Sequence, residues 1–182
     1  MCVKNALKGE SNFIHYCDFD RIIHWLRFFP EELQLLSLVL ANTDFLITSR
    51  TTRAFLTHPQ IQQEMEGITN QAFSLFSGFK TDVTAGSSAM NKKTAQLLIN
   101  NSRAEHNETD TEWPMLAMSS SLVVRQVKFE GLEFETPDYF EEEIRRAGGL
   151  EAWKKKLDAD PQQRESRLKL AMSSIKILPG NA

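Results

Sequence analysis

The first side chains that could bind a metal or take part in catalysis lie between positions 15 and 24, where two histidines, a cysteine and two aspartates occur close together. They are His15, Cys17, Asp18, Asp20 and His24. Imidazole, thiolate and carboxylate groups all bind metals, but a zinc site needs its ligands at a recognisable spacing. The spacing here matches no zinc template, and a soft thiolate among hard carboxylates is an inconsistent ligand set. The sequence therefore predicts no metal site and no cofactor, and a capped helix start explains the segment better.

A second group of candidate residues lies at positions 49–53, which read Ser-Arg-Thr-Thr-Arg. The preceding stretch from Pro30 has the outline of a helix, a short polar break and a second helix, as in a helix-turn-helix. In that arrangement Arg50, Thr51 and Arg53 would contact base edges and phosphates of DNA. A DNA-binding transcriptional regulator is therefore one alternative function, although the formal charge of −3 gives no general attraction to nucleic acid.

Catalytic motifs are missing from the sequence. It contains no GxSxG, HExxH, CxxC or dinucleotide-binding glycine pattern. The Ser-x-x-Lys pattern from Ser173 to Lys176 has none of the companion motifs that make it a nucleophile site. We predict no catalytic residue, and an enzyme without a recognisable motif stays a second alternative because paired carboxylates often come from distant segments.

The most regular apolar pattern follows Pro59, where large apolar residues recur at spacings of four and three. This spacing predicts an amphipathic helix with a stripe from Ile61 to Phe76. We predict Met65, Phe73 and Phe76 as partner-binding residues. The main functional hypothesis is accordingly a non-catalytic regulatory or adaptor protein that binds another protein, or a second copy of itself, through an apolar helical face.

The elements that would position these residues are mostly helical. Helices are predicted after Asp18, Pro30 and Pro59, and three short capped helices are predicted after residue 136. Alternating residues around Val127 predict a small β-hairpin at 121–135. The predicted fold class is mainly α and bundle-like. We divide the chain into an N-terminal helical region (1–79), a flexible middle with one short helix (80–112) and a C-terminal part (113–182), which together could form one domain.

Composition places the chain among ordinary globular proteins. Of its 182 residues, 41% are hydrophobic and 25% are charged, which differs from the composition of disordered chains. The two cysteines show no disulfide framework, so we predict a cytoplasmic protein with reduced thiols. The longest apolar run, Leu35 to Ala41, is shorter than the roughly 20 residues that cross a bilayer, and we predict no membrane association.

Overall fold

The computed structural model describes residues 2–178, in which helices cover a four-stranded mixed sheet. The strands are β1 (Phe13–Cys17), β2 (Phe45–Arg50), β3 (Ser87–Asn91) and β4 (Val124–Phe129). The helices are α1 (Cys2–Ala6), α2 (Phe19–Phe28), α3 (Pro30–Leu40), α4 (Thr52–Leu56), α5 (Gln60–Ser77), α6 (Lys92–Asn101), α7 (Thr109–Ser119), α8 (Glu141–Ala147), α9 (Leu150–Ala159) and α10 (Pro161–Lys176), with a 3-10 turn at Thr136–Tyr139 before α8.

The strands lie in the order β1-β3-β2-β4. β3 pairs antiparallel with both β1 and β2, and β2 pairs parallel with β4 in the register Phe45↔Val124 to Arg50↔Phe129. The predicted bundle-like, mainly α fold is therefore wrong, because the centre of the protein is a real sheet. The predicted hairpin at 121–135 is also wrong: β4 belongs to this sheet, and its partner β2 lies far away in the sequence.

β2 was mistaken for a helix because its sequence carries no alternating pattern. All six residues from Phe45 to Arg50 are buried. A strand covered on both faces reads as a continuous apolar or small-residue run, which periodicity alone does not distinguish from a helix. The predicted second helix of the helix-turn-helix is thus β2 followed by the five-residue α4, so that motif is not formed.

The sheet has a hydrophobic core on each face. Phe45 and Ile47 of β2 point to one side, toward Phe73 of α5, Leu98 of α6 and Ala117 of α7. On the other side Leu46 packs with Trp25 of α2, Leu36 and Leu40 of α3, Phe129 and Leu132. Successive side chains of a strand point to opposite faces. Helices therefore cover both faces of β2, and the strand has no solvent-facing side.

The sheet also takes strands from all three regions into which the sequence divides the chain. β1 and β2 come from 1–79, β3 from 80–112 and β4 from 113–182. β3 lies between β1 and β2, and the segment before it buries Val83 and Ala85. The predicted flexible middle therefore supplies a central strand.

The helices predicted after Asp18, Pro30 and Pro59 are confirmed as α2, α3 and α5. The stripe predicted on α5 has the wrong phase, however. Its buried residues are Ile61, Gln62, Thr69 and Phe73, whereas Ile68, Leu75 and Phe76 are 48%, 79% and 45% exposed. Polar residues thus occupy part of the buried face, and three large apolar residues remain on the outer one.

Within residues 2–178, no helix is both long enough and apolar enough to cross a bilayer.

Gly131, just after β4, allows a close approach between the backbone and the core tryptophan. A Cβ atom at this position would lie 2.1 Å from Cδ1 of Trp25, whose side chain is fully buried. Glu32 holds this arrangement, because its Oε2 accepts hydrogen bonds from Trp25 Nε1 and Gly131 N, both at 2.9 Å. Its Oε1 accepts a third from Glu130 N at 2.8 Å.

We expect the Gly131→Ala substitution to destabilise the protein by about 1–3 kcal/mol, the usual range for an overpacked core. The fixed indole ring leaves no room for the added methyl group. The matched control is Gly67→Ala in α5, where a Cβ would meet nothing within 4 Å; there the better helix propensity should stabilise by up to about 1 kcal/mol. Urea unfolding measures both, and equal effects of the two substitutions would contradict the assigned contact.

Candidate functional site

The C-terminal end of β2 carries a fully buried cation. The side chain of Arg50 has no exposed surface, and its Nη1 lies 2.6 Å from Glu66 Oε2 of α5. Its Nε and Nη2 donate to the two carboxylate oxygens of Asp82, at 2.8 and 2.9 Å. Burial alone would raise the pKa of Asp82, but the Arg50 guanidinium and its hydrogen bonds outweigh burial and hold that pKa well below its usual range. Arg50, Glu66 and Asp82 form what we call the Arg50 cluster.

His58, before α5, completes the surroundings of Arg50. Its Nδ1 lies 3.1 Å from the Ala54 carbonyl oxygen and its Nε2 lies 3.4 Å from Arg50 Nη1. These contacts fit a neutral imidazole that donates from Nδ1 and accepts at Nε2. Burial and the positive charge of Arg50 lower the pKa of His58 to about 2.

Next to the Arg50 cluster lies a polar cavity of about 240 Å³. Glu66 belongs to both, so the Arg50 cluster forms part of the cavity wall. Residues of α2, α5, α7 and α10 line the cavity, together with the segments before β3 and at 134–136. Its charged lining residues are five acids and two arginines: Asp18, Asp20, Glu66, Asp110, Glu135, Arg21 and Arg167.

Three residues that line this polar cavity carry buried atoms without a hydrogen-bond partner within residues 2–178. The atoms are Arg21 Nε, Gln62 Oε1 and Glu135 Oε2, and the residues are 6%, 5% and 5% exposed. Thr94 Oγ1 is also buried without a hydrogen-bond partner within residues 2–178, but Thr94 does not line this cavity. Buried polar groups in folded proteins are nearly always paired. One donor and two acceptors in the described part of the chain therefore lack a protein partner on residues that line a single cavity.

Part of this geometry is fixed by the ion pair between Arg21 and Glu135. Arg21 Nη2 lies 3.1 Å from Glu135 Oε1, and Arg21 Nη1 donates to the Leu132 carbonyl oxygen at 3.4 Å. Each side chain therefore uses one part of its polar group within the protein. The other part, Nε of Arg21 and Oε2 of Glu135, stays unpaired.

Asp110 is the acid–base candidate of the site. Burial is the largest cause that raises its pKa to about 8. The negative charges of Asp18 and Glu66 also raise this pKa, and the positive charges of Arg21 and Arg50 oppose the rise. Within residues 2–178 no ion pair of Asp110 is formed. The Asp110 carboxyl is therefore protonated at neutral pH.

Asp18 approaches the backbone at Gly86, a residue with φ of +61°. A Cβ at Gly86 would lie 2.6 Å from Asp18 Oδ2 and 3.3 Å from Arg21 Nε. The unpaired Nε of Arg21 and the carboxylate of Asp18 thus lie against the same glycine, which lines the polar cavity. Burial also raises the pKa of Asp18, and the nearby Arg21 opposes that rise.

A second, more apolar cavity of about 430 Å³ adjoins the first. Its apolar walls include Val3, Leu98, Ile99 and Trp113. The two cavities share four residues, Asp18, Gly86, Asn107 and Asp110. The two carboxyls therefore lie where a polar cavity and an apolar cavity meet.

The predicted DNA-contacting residues have other roles in the fold. Arg50 is buried in its cluster, and Thr51 caps α4 by accepting a hydrogen bond from Ala54 N at 3.1 Å. Arg53 is half-exposed and pairs with Glu130 and Glu133. DNA binding through these residues stays a prediction, and the geometry does not favour it, because Arg50 presents no exposed donor and Arg53 is already paired.

The predicted partner-binding residues do not share one surface. Phe73 is fully buried in the core, Met65 lines the polar cavity, and Phe76 is exposed on the outer face of α5. The structure therefore brings none of these three together.

The residues weighed as metal ligands are engaged separately. His24 contacts Asp138 at 2.8 Å and Glu133 at 3.3 Å, while His15 Nε2 lies 2.9 Å from Ser87 Oγ. Burial raises the pKa of Cys17 to about 12, so that thiol is unreactive. Within residues 2–178, no three histidine, cysteine or acidic side chains lie close enough together to hold a metal ion.

Sequence reasoning missed Asp110, Arg21, Gln62 and Glu135. Asp18 was noticed only as a metal-ligand type, and Asp110 lies in the run "NETDTE", which looks like a solvated loop. No local pattern marks these residues, because they come from four separate segments.

We expect stability to fall as the pH decreases below about 6.5, because the unfolded His58 binds a proton there and the folded one does not. Its contribution is at most about 1.4 kcal/mol per pH unit. His58→Gln keeps a donor and an acceptor but should remove this component, as urea unfolding at pH 7 and pH 5 would measure. His106→Gln, in an exposed loop, is the control. An unchanged pH slope in His58→Gln would show that His58 does not stay neutral.

In comparisons with models of protein families, with curated proteins and with solved structures, no match to this chain was found.

Proposed function

We propose that the protein is an enzyme that binds a small polar substrate in the polar cavity and acts on it by proton transfer. The observation that carries this proposal is the set of three unpaired buried atoms, on Arg21, Gln62 and Glu135, around one cavity that also contains Asp110. A ligand that paired with these groups would contribute to binding, since an unsatisfied buried polar group destabilises a fold by about 1–3 kcal/mol.

The roles follow from the protonation states. Asp110 holds its proton at neutral pH because its pKa is raised to about 8, so it is the general acid. Asp18, beside Arg21, is the candidate base. Burial raises the pKa of Asp18 as well, and the charge of Arg21 opposes that rise. Proton transfer at one site needs one group that gives a proton and a second that takes one, and these are the roles assigned to Asp110 and Asp18. Arg21 Nε would donate to a substrate oxygen, while Gln62 and Glu135 would accept from substrate donors.

We expect Asp110→Asn, which keeps the shape but loses the transferable proton, to slow conversion by about 10²–10⁴-fold. The purified protein is screened by thermal shift against a library of small polar metabolites, and conversion of each stabilising compound is followed by mass spectrometry. Glu143→Gln, exposed on α8, is the control and should convert at the wild-type rate. Equal conversion by Asp110→Asn, or no conversion of any compound by the wild type, would overturn the proposal.

The protonation of Asp110 has a separate readout in the same variant. The folded carboxyl binds a proton up to about pH 8, whereas the unfolded one ionises near pH 4. Stability of the wild type should therefore decrease as pH rises between these values, by at most about 1.4 kcal/mol per unit from this group. The charges facing it, those of Asp18, Glu66, Arg21 and Arg50, remain in the variant. Asp110→Asn should lose this slope.

A second candidate function, protein binding, is favoured by the outer face of α5. Ile68, Leu75 and Phe76 are exposed there, and Leu168 and Met172 are exposed on α10, which packs against α5. Large apolar residues left exposed on two neighbouring helices favour a protein-binding surface. The partner that this proposal commits to is a second copy of the chain.

We expect Leu75→Lys to shift the protein toward monomer in sedimentation velocity measured over a concentration series, because the lysine would place a charge in the apolar contact. Gln96→Lys, on an exposed position of α6 outside this face, should leave the association unchanged. A wild type that is monomeric at every concentration would contradict self-association through this face.

A further inference from the structure

We infer that the substrate is an amphipathic primary amine with an oxygen acceptor next to the amine, bound with its polar head in the polar cavity and its apolar group in the second cavity. The inference rests on the proposed function and specifies the substrate class of the same site. Amino alcohols and α-amino amides both present this chemistry.

The charge of the polar cavity favours a cationic head. Its lining carries five acids and two arginines, and Arg21 and Arg167 already face Glu135 and Glu66, at 3.1 and 3.7 Å. Asp110 is protonated, so the acids that remain are Asp18 and Asp20. A protonated amine would offset this excess of negative charge, whereas a carboxylate or phosphate would add to it.

The unpaired atoms specify the neighbouring groups. Gln62 Oε1 and Glu135 Oε2 each need a donor, and a primary ammonium supplies three. Arg21 Nε needs an acceptor, which an ammonium does not have. An oxygen beside the amine, either a hydroxyl or a carbonyl, would fill this third position. The head group therefore has to carry both an amine and an oxygen.

The second cavity would hold the apolar group of the substrate. Val3, Leu98, Ile99 and Trp113 provide apolar walls in a volume of about 430 Å³, and pockets of this kind bind apolar groups of ligands. Asp18 and Asp110 line both cavities. The part of the substrate nearest these carboxyls is therefore the junction of the polar head and the apolar group. At this junction Asp18 would take one proton from the substrate and Asp110 would give one back, so the number of protons on the substrate is unchanged.

Binding of four commercial probes to the full-length protein tests this assignment by isothermal titration calorimetry. The probes are phenylalaninol, phenylalaninamide, 2-phenylethylamine, which lacks the oxygen, and 3-phenyl-1-propanol, which lacks the amine. We expect at least one of the first two to bind about tenfold or more tightly than either of the last two, since a hydrogen bond to a charged group contributes that much. Whichever of the first two probes binds more tightly shows whether the substrate is an amino alcohol or an α-amino amide.

Two variants separate the two cavities. Glu135→Gln removes the charge that faces the amine and should weaken binding of phenylalaninol and phenylalaninamide about tenfold. Ile99→Thr places a hydroxyl in the apolar wall; it should weaken the same probes severalfold and leave alaninol, which has no ring, unchanged. Ile23→Thr, on an exposed position of α2 that lines neither cavity, is the control. The thermal-unfolding midpoint of each variant checks that it is folded.

Probes that bind equally with and without the amine or the oxygen would overturn the assignment of substrate class. So would tighter binding of 3-phenylpropionate, which is the acidic analogue. Either result would leave the acid–base proposal standing if Asp110→Asn still slows conversion of a neutral or acidic compound. Conversely, selective amine binding together with undiminished conversion by Asp110→Asn would support the substrate class and reject the catalytic role of Asp110.

Discussion

Arg50 is a full positive charge that no water reaches, and its burial constrains much of the surrounding structure. An unpaired ion in a protein interior is strongly unfavourable, so the fold has to bring anions to it. Glu66 comes from α5 and Asp82 from the segment before β3, while Arg50 itself ends β2. Three segments distant in sequence are thereby held to one point, and loss of either carboxylate would leave a buried charge uncompensated.

The same cluster shapes the candidate site. Glu66 faces Arg50 with one oxygen and lines the polar cavity, so the position of the cavity wall depends on the ion pair. The pKa values of the two aspartates nearby, Asp82 and Asp110, shift in opposite directions. Arg50 holds the pKa of Asp82 low, whereas burial and the carboxylates around Asp110 raise its pKa to about 8. Two aspartates of one interior thus carry different protonation states at neutral pH, because only one has a cation within hydrogen-bonding distance.

Predictions from the sequence were correct where they depended on interactions between residues close together in the chain, and wrong where they depended on residues far apart. Helices α2, α3 and α5 were predicted correctly because their start signals, acids or proline at the first turn, are local. β2 was missed because both of its faces are covered, which removes the alternating pattern of an exposed strand. The phase of α5 was missed because Gln62 and Thr69 are buried where tertiary contacts and the polar cavity accept them, while Ile68 and Leu75 are left outside. The hydrophobicity of these residues alone could not indicate that polar side chains would be buried and apolar ones exposed.

The sequence by itself determined α2, α3 and α5, whose start signals are local, and the composition of an ordinary globular protein. It also contained every residue of the candidate site, but nothing in their spacing related Asp18, Gln62, Asp110 and Glu135 to one another. Only the tertiary structure decided that these residues surround one cavity, that Arg50 is buried and that the chain forms a mixed sheet. The physical reason is that the parallel pairing of β2 with β4, the ion pairs of Arg50 and the raised pKa of Asp110 all arise from groups far apart in the chain. Such interactions exist only once the chain has folded.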